Sequence, residues 1–483
     1  MIGDTFTSPL PNRTAMLVAA FDSQLKWAGA IRRELESKGF ACRVIVPSDI
    51  RHSISPGQLA DSGGGAVTYL PWTELVAASL QVDVVVLAIQ GPHVRRFCHD
   101  LFDAVQLSDT VPPITITGWV GVIIEKITAG YLERYATDIV AVNSRSDLAT
   151  FDVAARSLQL PTDNLLLCGL PLLSGEHREA PVDAPIKTVM FADQPTVPQT
   201  RGDRLYVYQR LMAYAQAHPD RQVVLKPRHR IGEDTFHRMR FHPEVLLSGV
   251  RKPANFSIDY TPISERLANL DLMVTISSTA ALEAVGAGVR TAFVADLDVR
   301  EQLGNHIFLG SGLLRTFDQL ERDDVGVPAP PWIDDYFFDT QGVTPVEQIV
   351  ERALDLMSRA DRGQPQAWRT ALFASQHELI TYREQAARSD SLTSDRTAFH
   401  RGIARWILPM EFSFSCARRG LGARPYANKA PCMRNGPGRN STQPAGLDLL
   451  PQRLTTPSCR TSSSVPDEYP SHDAARRPSG CRR

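Results

Sequence analysis

The chain has 483 residues, of which 43% are hydrophobic and 22% charged, a balance typical of a soluble protein with sizeable apolar cores. Residues 401–483 hold fourteen of the 52 Lys and Arg and five of the 53 Asp and Glu, so the first 400 residues carry 38 basic against 48 acidic residues. This acidic body argues against nucleic acid as a partner. No apolar run reaches 18 residues, and the first residues lack the apolar core of a signal peptide. We therefore expect a cytoplasmic protein without a membrane span.

Apolar strand-like segments alternate with amphipathic helices in the first half of the chain, which is typical of a parallel α/β sheet. A polar, proline-bearing stretch at 174–187 then indicates a linker. The predicted strands cover 14–21, 41–47, 83–89, 113–119 and 136–144, and this half closes near 164–173.

The second half repeats the alternation, with helices expected at 346–360 and near 365–388. The predicted fold is α/β, with two doubly wound Rossmann-like domains that face a cleft and a disordered C-terminal tail. The second set of predicted strands covers 187–193, 221–227, 272–278 and 289–296. The predicted units are an N-terminal domain at 1–175, a C-terminal domain at 176–345, helices that pack back at 346–400 and a tail at 401–483.

The tail differs from the body in composition. Residues 401–483 contain ten Pro and nine Ser, and thirteen of their fourteen basic residues are Arg. They show no helical or strand period, so they cannot bury enough apolar surface to offset the entropy of ordering. Two explanations stay open, a basic tail that contacts anionic lipid or nucleic acid, and an out-of-frame reading of a GC-rich gene.

The seven cysteines form no CxxC pair and have no paired histidines nearby. This spacing predicts neither a metal centre nor a disulfide framework, and we expect no cofactor. A DxD spacing at Asp296 and Asp298 could hold a divalent cation, although a solvated turn is the commoner reason for it.

A strand that runs into Ser277, Ser278 and Thr279 and then directly into a helix is the strongest local signal. Hydroxyls and free N–H groups at a helix start can bind phosphate, so these three residues are predicted to bind the phosphate of a nucleotide. The alternative is that Ser278 or Thr279 only caps the helix. Glu283 lies four residues after Thr279 and completes no capping box.

A second strand ends in the basic segment that contains Lys226, Arg228 and His229. Ammonium and guanidinium groups suit a phosphate ester, and a histidine could protonate a leaving oxygen. The alternative is a solvated loop. In the first half, Glu125 follows a strand and two glycines and is a candidate general base, unless it is a surface residue paired with Lys126 or Arg134.

The order of these motifs resembles that in a bacterial family of proposed glycosyltransferases with the GT-B fold. The segments that carry the resemblance are FADQPTVPQTR (191–201), VVLKPRHR (223–230) and ISSTAALEAVGAG (276–288). The better-understood relatives of that family are capsule polysialyltransferases and Kdo transferases, which use CMP-activated sugars. The resemblance covers about residues 14–320. The relatives' Lys-x-His-Pro motif is similar to Lys226–His229 here, although two residues separate the Lys from the His and Arg230 stands in place of the proline.

The resemblance implies an inverting, metal-independent glycosyltransferase with a nucleotide-sugar donor and a glycan or lipid-linked acceptor, in contact with the membrane surface at most peripherally. It implies that the double-serine turn binds phosphate, that His229 contacts phosphate or protonates the leaving group, and that Glu125 is the base. We place Glu283 near the ribose. The alternatives are a sugar-nucleotide epimerase, a polymer transferase with a CDP-alcohol donor, and a non-catalytic protein that binds nucleotide or glycan.

Overall fold

A computed structural model describes residues 13–361, apart from 51–53, 55–58, 60–65, 108–109, 125, 174–176, 182, 234–238 and 339. All of the described residues belong to one compact unit. Glu125, the helix expected near 365–388 and the predicted tail lie outside the described residues.

Seven parallel strands form the first sheet, in the order β3-β2-β1-β4-β5-β6-β7. The strand order reverses between β1 and β4: the sheet extends from β1 through β2 to β3 on one side and from β4 to β7 on the other, as in a Rossmann domain. The strands are β1 (Thr14–Ala19), β2 (Ala41–Pro47), β3 (Val67–Leu70), β4 (Val84–Ala88), β5 (Ile114–Gly118), β6 (Ile139–Val142) and β7 (Leu165–Leu167). The connecting helices are α1 (Asp22–Ser37), α2 (Trp72–Ser79), α3 (Gly91–Gln106), α4 (Ile127–Leu132) and α5 (Arg145–Ser157).

Six parallel strands form the second sheet, in the order β10-β9-β8-β11-β12-β13, which repeats the same reversal. Its strands are β8 (Thr188–Ala192), β9 (Gln222–Lys226), β10 (Phe256–Ile258), β11 (Leu272–Thr275), β12 (Arg290–Val294) and β13 (Leu314–Arg315). Its helices are α6 (Arg201–Ala217), α7 (Pro243–Leu246), α8 (Ile263–Arg266), α9 (Ala280–Gly286) and α10 (Phe317–Leu320), and α11 (Pro330–Tyr336) and α12 (Pro345–Asp361) follow.

Helices cover both faces of each sheet, which is why the central strands are buried along their whole length. All five residues of β4 are buried, and so are all four of β11. A strand buried on both faces is mostly apolar, which explains the continuous apolar runs of the sequence. The buried Thr115 and Thr117 of β5 donate their hydroxyl protons to Asp138 and to the Leu87 carbonyl. The predicted two doubly wound α/β sheets are therefore confirmed.

Helix α12 follows the second sheet along the chain but packs on the first. Its apolar face, with Ile349, Val350, Ala353 and Leu356, lies in the same core as the buried residues of α1. The helix thus joins the last described residues to the first domain. The domain limits at 175/176 and 345/346 stay predictions. Within the described residues, no helix has the length and apolar character needed to cross a membrane.

A contact between α5 and α11 joins the two halves of the chain. The Ser146 N–H and hydroxyl both donate to the Asp335 carboxylate, each over 2.7 Å. Beside them, Ser144 caps α5 by accepting a hydrogen bond from the Asp147 N–H at 3.1 Å. Burial, with a smaller contribution from the Asp335 charge, raises the pKa of the Asp147 carboxyl to about 6, and the Ser144 hydrogen bond acts against this rise.

This raised pKa predicts that Asp147→Asn stabilises the protein more at pH 8 than at pH 5. The folded pKa lies above the unfolded value of about 3.9, so the stability that Asp147 contributes is lost progressively as the pH rises from about 3.9 through 6, and only part of it is lost at pH 5. We expect a gain on the order of 2 kcal/mol in the free energy of unfolding at pH 8, measured by urea denaturation. Asp152→Asn on the same helix is the control and should change stability by less than about 0.5 kcal/mol at either pH. An equal effect of Asp147→Asn at both pH values would show that the carboxyl does not titrate in this range.

Candidate functional site

The carboxyl edges of the two sheets face each other across an ion pair. Asp22 begins α1 directly after β1, and Arg228 lies two residues beyond β9. The Arg228 Nη2 donates to both carboxylate oxygens of Asp22, at 3.1 and 3.0 Å. The Arg228 side chain is 43% exposed and that of Asp22 is 23% exposed, so the pair is accessible to a ligand. Loops at this edge carry the ligands in open α/β sheets.

Ser277 is fixed in the interior of the second domain. It is 2% exposed, its hydroxyl donates to the Leu303 carbonyl at 2.6 Å, and its N–H donates to Gln194 Oε1 at 2.9 Å. Because its one hydroxyl proton is engaged, Ser277 holds the turn in shape rather than offering a free donor.

The next two residues reach the facing edges. The half-buried Ser278 accepts a hydrogen bond from the Ala280 N–H at 3.3 Å, so its hydroxyl oxygen takes part in capping α9. Thr279 Oγ1 accepts a hydrogen bond from the N–H of Val122, which lies in the first domain, at 3.4 Å. Each hydroxyl keeps a lone pair and its proton for further bonds.

Lys226 ends β9 and lies almost wholly inside the protein, 9% exposed. The one hydrogen bond of its Nζ among the described residues goes to the Pro227 carbonyl over 3.4 Å. Burial lowers the pKa of Lys226, Asp259 opposes this effect, and the positive charges of Lys26 and Arg228 add to it. Three cations therefore lie close together where β9 ends opposite α1.

Glu283 lies on α9 on the side that faces Lys26. Burial raises the pKa of its half-buried carboxyl, and the Lys26 charge acts in the opposite direction. The structure thus brings Glu283 into the neighbourhood of the same lysine that acts on Lys226.

His229 is buried, and backbone groups engage both of its ring nitrogens. Nδ1 lies 3.0 Å from the Arg230 carbonyl, and Nε2 accepts a hydrogen bond from the Met239 N–H at 3.3 Å. The two bonds together define a neutral ring that carries its proton on Nδ1. His229 is therefore part of the framework of its loop, and the predicted role in protonating a leaving group lacks a free ring nitrogen.

The loop that leads to Glu125 follows β5, and Glu125 itself lies outside the described residues. Asn143, after β6, fixes the start of this loop, because its Nδ2 donates to the carbonyls of Trp119 at 3.2 Å and Gly121 at 2.9 Å. The sequence gives Asn143 no motif that would mark this function.

A buried network shapes the loop after β8. Arg204 Nη1 contacts both carboxylate oxygens of Asp193 at 3.1 and 3.3 Å, while its Nη2 donates to the carbonyls of Gln194 at 2.5 Å and Pro195 at 2.7 Å. This network places Gln194, which holds Ser277. The resemblance included the segment 191–201 but gave none of these residues a role.

The two aspartates of the DxD spacing have separate partners. Asp296 accepts hydrogen bonds from the Tyr206 hydroxyl at 3.1 Å and the Phe317 N–H at 2.9 Å, whereas Asp298 is highly exposed and lies 3.8 Å from Arg300. Across the described part of the chain, no group of three or more His, Cys, Asp or Glu side chains could hold a metal ion.

Solved structures with similar folds include a UDP-GlcNAc 2-epimerase from Neisseria meningitidis bound to UDP-GlcNAc. It is 10% identical, with a TM-score of 0.45, and the match covers 71% of this chain and 100% of that one. MurG from Acinetobacter baumannii is 12% identical with a TM-score of 0.39, over 72% of this chain and 100% of that one. UGT89C1 from Arabidopsis thaliana, complexed with UDP-L-rhamnose, is 9% identical with a TM-score of 0.41, over 77% and 98%.

None of the curated proteins matches the chain. The family described as "Putative glycosyltransferase (DUF6716)" matches residues 15–356, which span both sheets and most of α12. The match covers well over half of the 483 residues, and the chain therefore belongs to this family of proposed glycosyltransferases.

Proposed function

We propose that the protein is an inverting glycosyltransferase that moves a sugar from a nucleotide-activated donor to a hydroxyl acceptor. The observation that carries the proposal is the grouping of Lys26, Lys226 and Arg228 where β9 ends opposite α1, in a member of this family. Lys26 also acts on Glu283 of α9, the helix that follows the turn at Ser278 and Thr279. The cations come from both domains, so a donor bound between the facing edges would contact both.

The cations suit the phosphate of a nucleotide as it becomes the leaving group. A positive charge that is already in place stabilises the negative charge that develops when the bond from sugar to phosphate breaks. Arg228 offers a planar guanidinium for this purpose, and the donor phosphate would take the place of the Asp22 carboxylate in front of it. Such a site would need no metal ion to neutralise the phosphate.

The remaining assignments follow the resemblance. Ser278 and Thr279 would contact the donor phosphate, Glu283 would lie near the ribose, and Glu125 would remove the proton of the acceptor hydroxyl. The resemblance favours a CMP-sugar donor and a glycan or lipid-linked acceptor, with peripheral contact at a membrane surface. The acceptor would enter on the side of the first domain, where Asp22 is a further carboxylate at the sheet edge.

A thermal-shift screen with CMP, CDP, UDP, GDP and their common sugar conjugates tests the donor site. A ligand at a hundredfold excess over its Kd stabilises the protein by about 2.7 kcal/mol, so one nucleotide should raise the melting temperature by several degrees. Arg228→Ala should abolish the shift, and Arg251→Ala, which removes an exposed arginine of the same domain, should keep it. If no nucleotide raises the melting temperature, the proposal is wrong.

The reaction itself separates this proposal from its alternatives. A transferase releases its nucleotide at a rate that depends on an acceptor, whereas an epimerase converts the sugar nucleotide with no acceptor present. A CDP-alcohol transferase would respond to CDP conjugates in place of sugar nucleotides. Binding without turnover under any of these conditions would favour a non-catalytic nucleotide-binding protein.

A further inference from the structure

The loop after β5, residues 119–124 (the β5 loop), contacts the second domain at the turn predicted to bind the donor phosphate. The Val122 N–H donates to Thr279 Oγ1 at 3.4 Å, between residues 157 positions apart. The backbone approaches closely because residue 121 is glycine. A Cβ atom there would lie 2.7 Å from the same hydroxyl oxygen, a separation that real Cβ atoms essentially never show.

A second contact holds the end of the same loop. The side chain of Ile124 lies over Gly304, where a Cβ atom would be 2.9 Å from Ile124 Cγ2 and 3.1 Å from Ser277 Oγ. Gly304 has a φ of +70°, so glycine suits both its conformation and its surroundings. The neighbouring Leu303 carbonyl accepts the hydrogen bond of the Ser277 hydroxyl. The loop therefore contacts Thr279 at the end of the serine turn (Ser277–Thr279) and, through Ile124, the backbone of Gly304 beside Ser277.

The other end of the loop is fixed in its own domain. Asn143 Nδ2 donates hydrogen bonds to the carbonyls of Trp119 and Gly121, so the loop is a short, well-defined segment between the two domains. In sequence, the residue after Ile124 is Glu125, the proposed base. The position of this loop thus depends on groups from the first domain at one end and from the second domain at the other.

We propose that Thr279 is a positioning residue that docks the β5 loop on the serine turn and couples the position of the loop to donor binding. The coupling rests on the proposed function, whereas the docking does not. A hydroxyl can accept and donate at once, and the O–H of Thr279 donates to no acceptor among the described residues. A donor phosphate that accepts this O–H strengthens the bond to Val122, since hydrogen bonds in a chain polarise one another. The segment that leads into the base is then held most firmly when the donor is bound.

Hydrogen exchange of the amide of Val122, in the full-length protein without ligand, tests the docking. Thr279→Val keeps the shape of the side chain but removes the acceptor, and we expect exchange about fivefold faster, the loss of one ordinary hydrogen bond. Thr279→Ser keeps the hydroxyl and should keep the protection. If the valine and serine variants exchange alike, the hydroxyl does not dock the loop.

A second pair of variants tests the close approach independently of Thr279. Gly121→Ala places a Cβ against Thr279 Oγ1 and should also speed the exchange of the loop. Gly202→Ala, on α6, is the control, because its nearest neighbour would be Thr200 Oγ1 at 4.0 Å, away from the β5 loop. Equal exchange rates of the loop in both alanine variants would overturn the docking.

The coupling is tested by repeating the exchange with CMP and with UDP as probes. The nucleotide that binds should slow the exchange at Val122 by a further severalfold in the wild type and in Thr279→Ser, but not in Thr279→Val. Binding without any change at Val122 would overturn the coupling and leave the donor site intact. If neither nucleotide binds, the proposed CMP or UDP donor site fails and the coupling fails with it, while the measurements without ligand still decide the docking.

Discussion

Arg204→Met is expected to lower the free energy of unfolding by about 3–5 kcal/mol, the largest effect on stability that the described contacts predict. Arg204 is 1% exposed, and its guanidinium contacts both carboxylate oxygens of the equally buried Asp193. Burial raises the pKa of Asp193 to about 6, and Arg204 acts against this rise. Without the arginine, a carboxyl remains in the interior with the Tyr208 hydroxyl and the Gln194 N–H as its partners, and it must either stay charged there or take up a proton. Urea denaturation at pH 7 measures the loss.

Arg210→Met is the matched control, since it makes the same change on the same helix. Arg210 pairs with Asp318 and Glu321 near the surface, and its loss should lower the free energy of unfolding by less than about 1 kcal/mol. If the two variants lose equal stability, the Asp193–Arg204 pair is not what holds the loop after β8. The comparison separates the loss of a buried partner from the general loss of an arginine.

Arg204 also links the stability of the second domain to the shape of the serine turn. Its Nη2 donates to the carbonyls of Gln194 and Pro195, and Gln194 Oε1 in turn accepts a hydrogen bond from the Ser277 N–H at 2.9 Å. The buried Asp193–Arg204 pair therefore fixes the position of Gln194, and Gln194 in turn binds the serine turn. A binding site made of turn residues needs such support, because a turn that is mobile without the ligand loses conformational entropy when the ligand binds.

The central strands could be predicted from the sequence because burial on both faces leaves an unbroken apolar run. The prediction of 41–47 agrees with β2 to the residue, and that of 83–89 differs from β4 by one residue at each end. The edge strands escaped prediction. β3 has the sequence VTYL, is exposed or half-buried along its length and has only four residues, so its pattern does not differ from that of a loop. Its partner strand, rather than its own sequence, makes it a strand.

The place of the candidate site could also be predicted, because the carboxyl ends of parallel strands gather at one edge of each sheet. Contacts between distant residues could not. Arg228 and Asp22 are 206 positions apart, and nothing in either segment indicates that they pair. The ring of His229 shows the same limit, since its immediate neighbours are Arg228 and Arg230, while Nε2 accepts a hydrogen bond from the N–H of Met239, which lies ten residues further along the chain.

Lys226→Met is expected to weaken the binding of the donor nucleotide about 10- to 100-fold while leaving the free energy of unfolding equal or higher by up to about 1 kcal/mol. The two effects have opposite signs for a physical reason. Burial lowers the pKa of Lys226, because the ammonium charge is less stable inside the protein than in water. Below that pKa the folded protein keeps this charge at a cost in stability, and replacing the lysine by methionine removes the cost. The loss of affinity follows because a charged donor to phosphate contributes about 1.5–3 kcal/mol. Urea denaturation and isothermal titration with the nucleotide found in the thermal-shift screen measure the two quantities.

Lys252→Met provides the control, because Lys252 is exposed in the same domain and its Nζ donates to the Leu247 carbonyl at 3.2 Å. This variant should change neither the affinity nor, by more than about 0.5 kcal/mol, the stability. A Lys226→Met protein that loses stability and keeps its affinity would show that the lysine supports the end of β9 instead of a ligand. A protein that gains stability and loses affinity would show that the fold keeps a buried charge at this edge for the anion it binds.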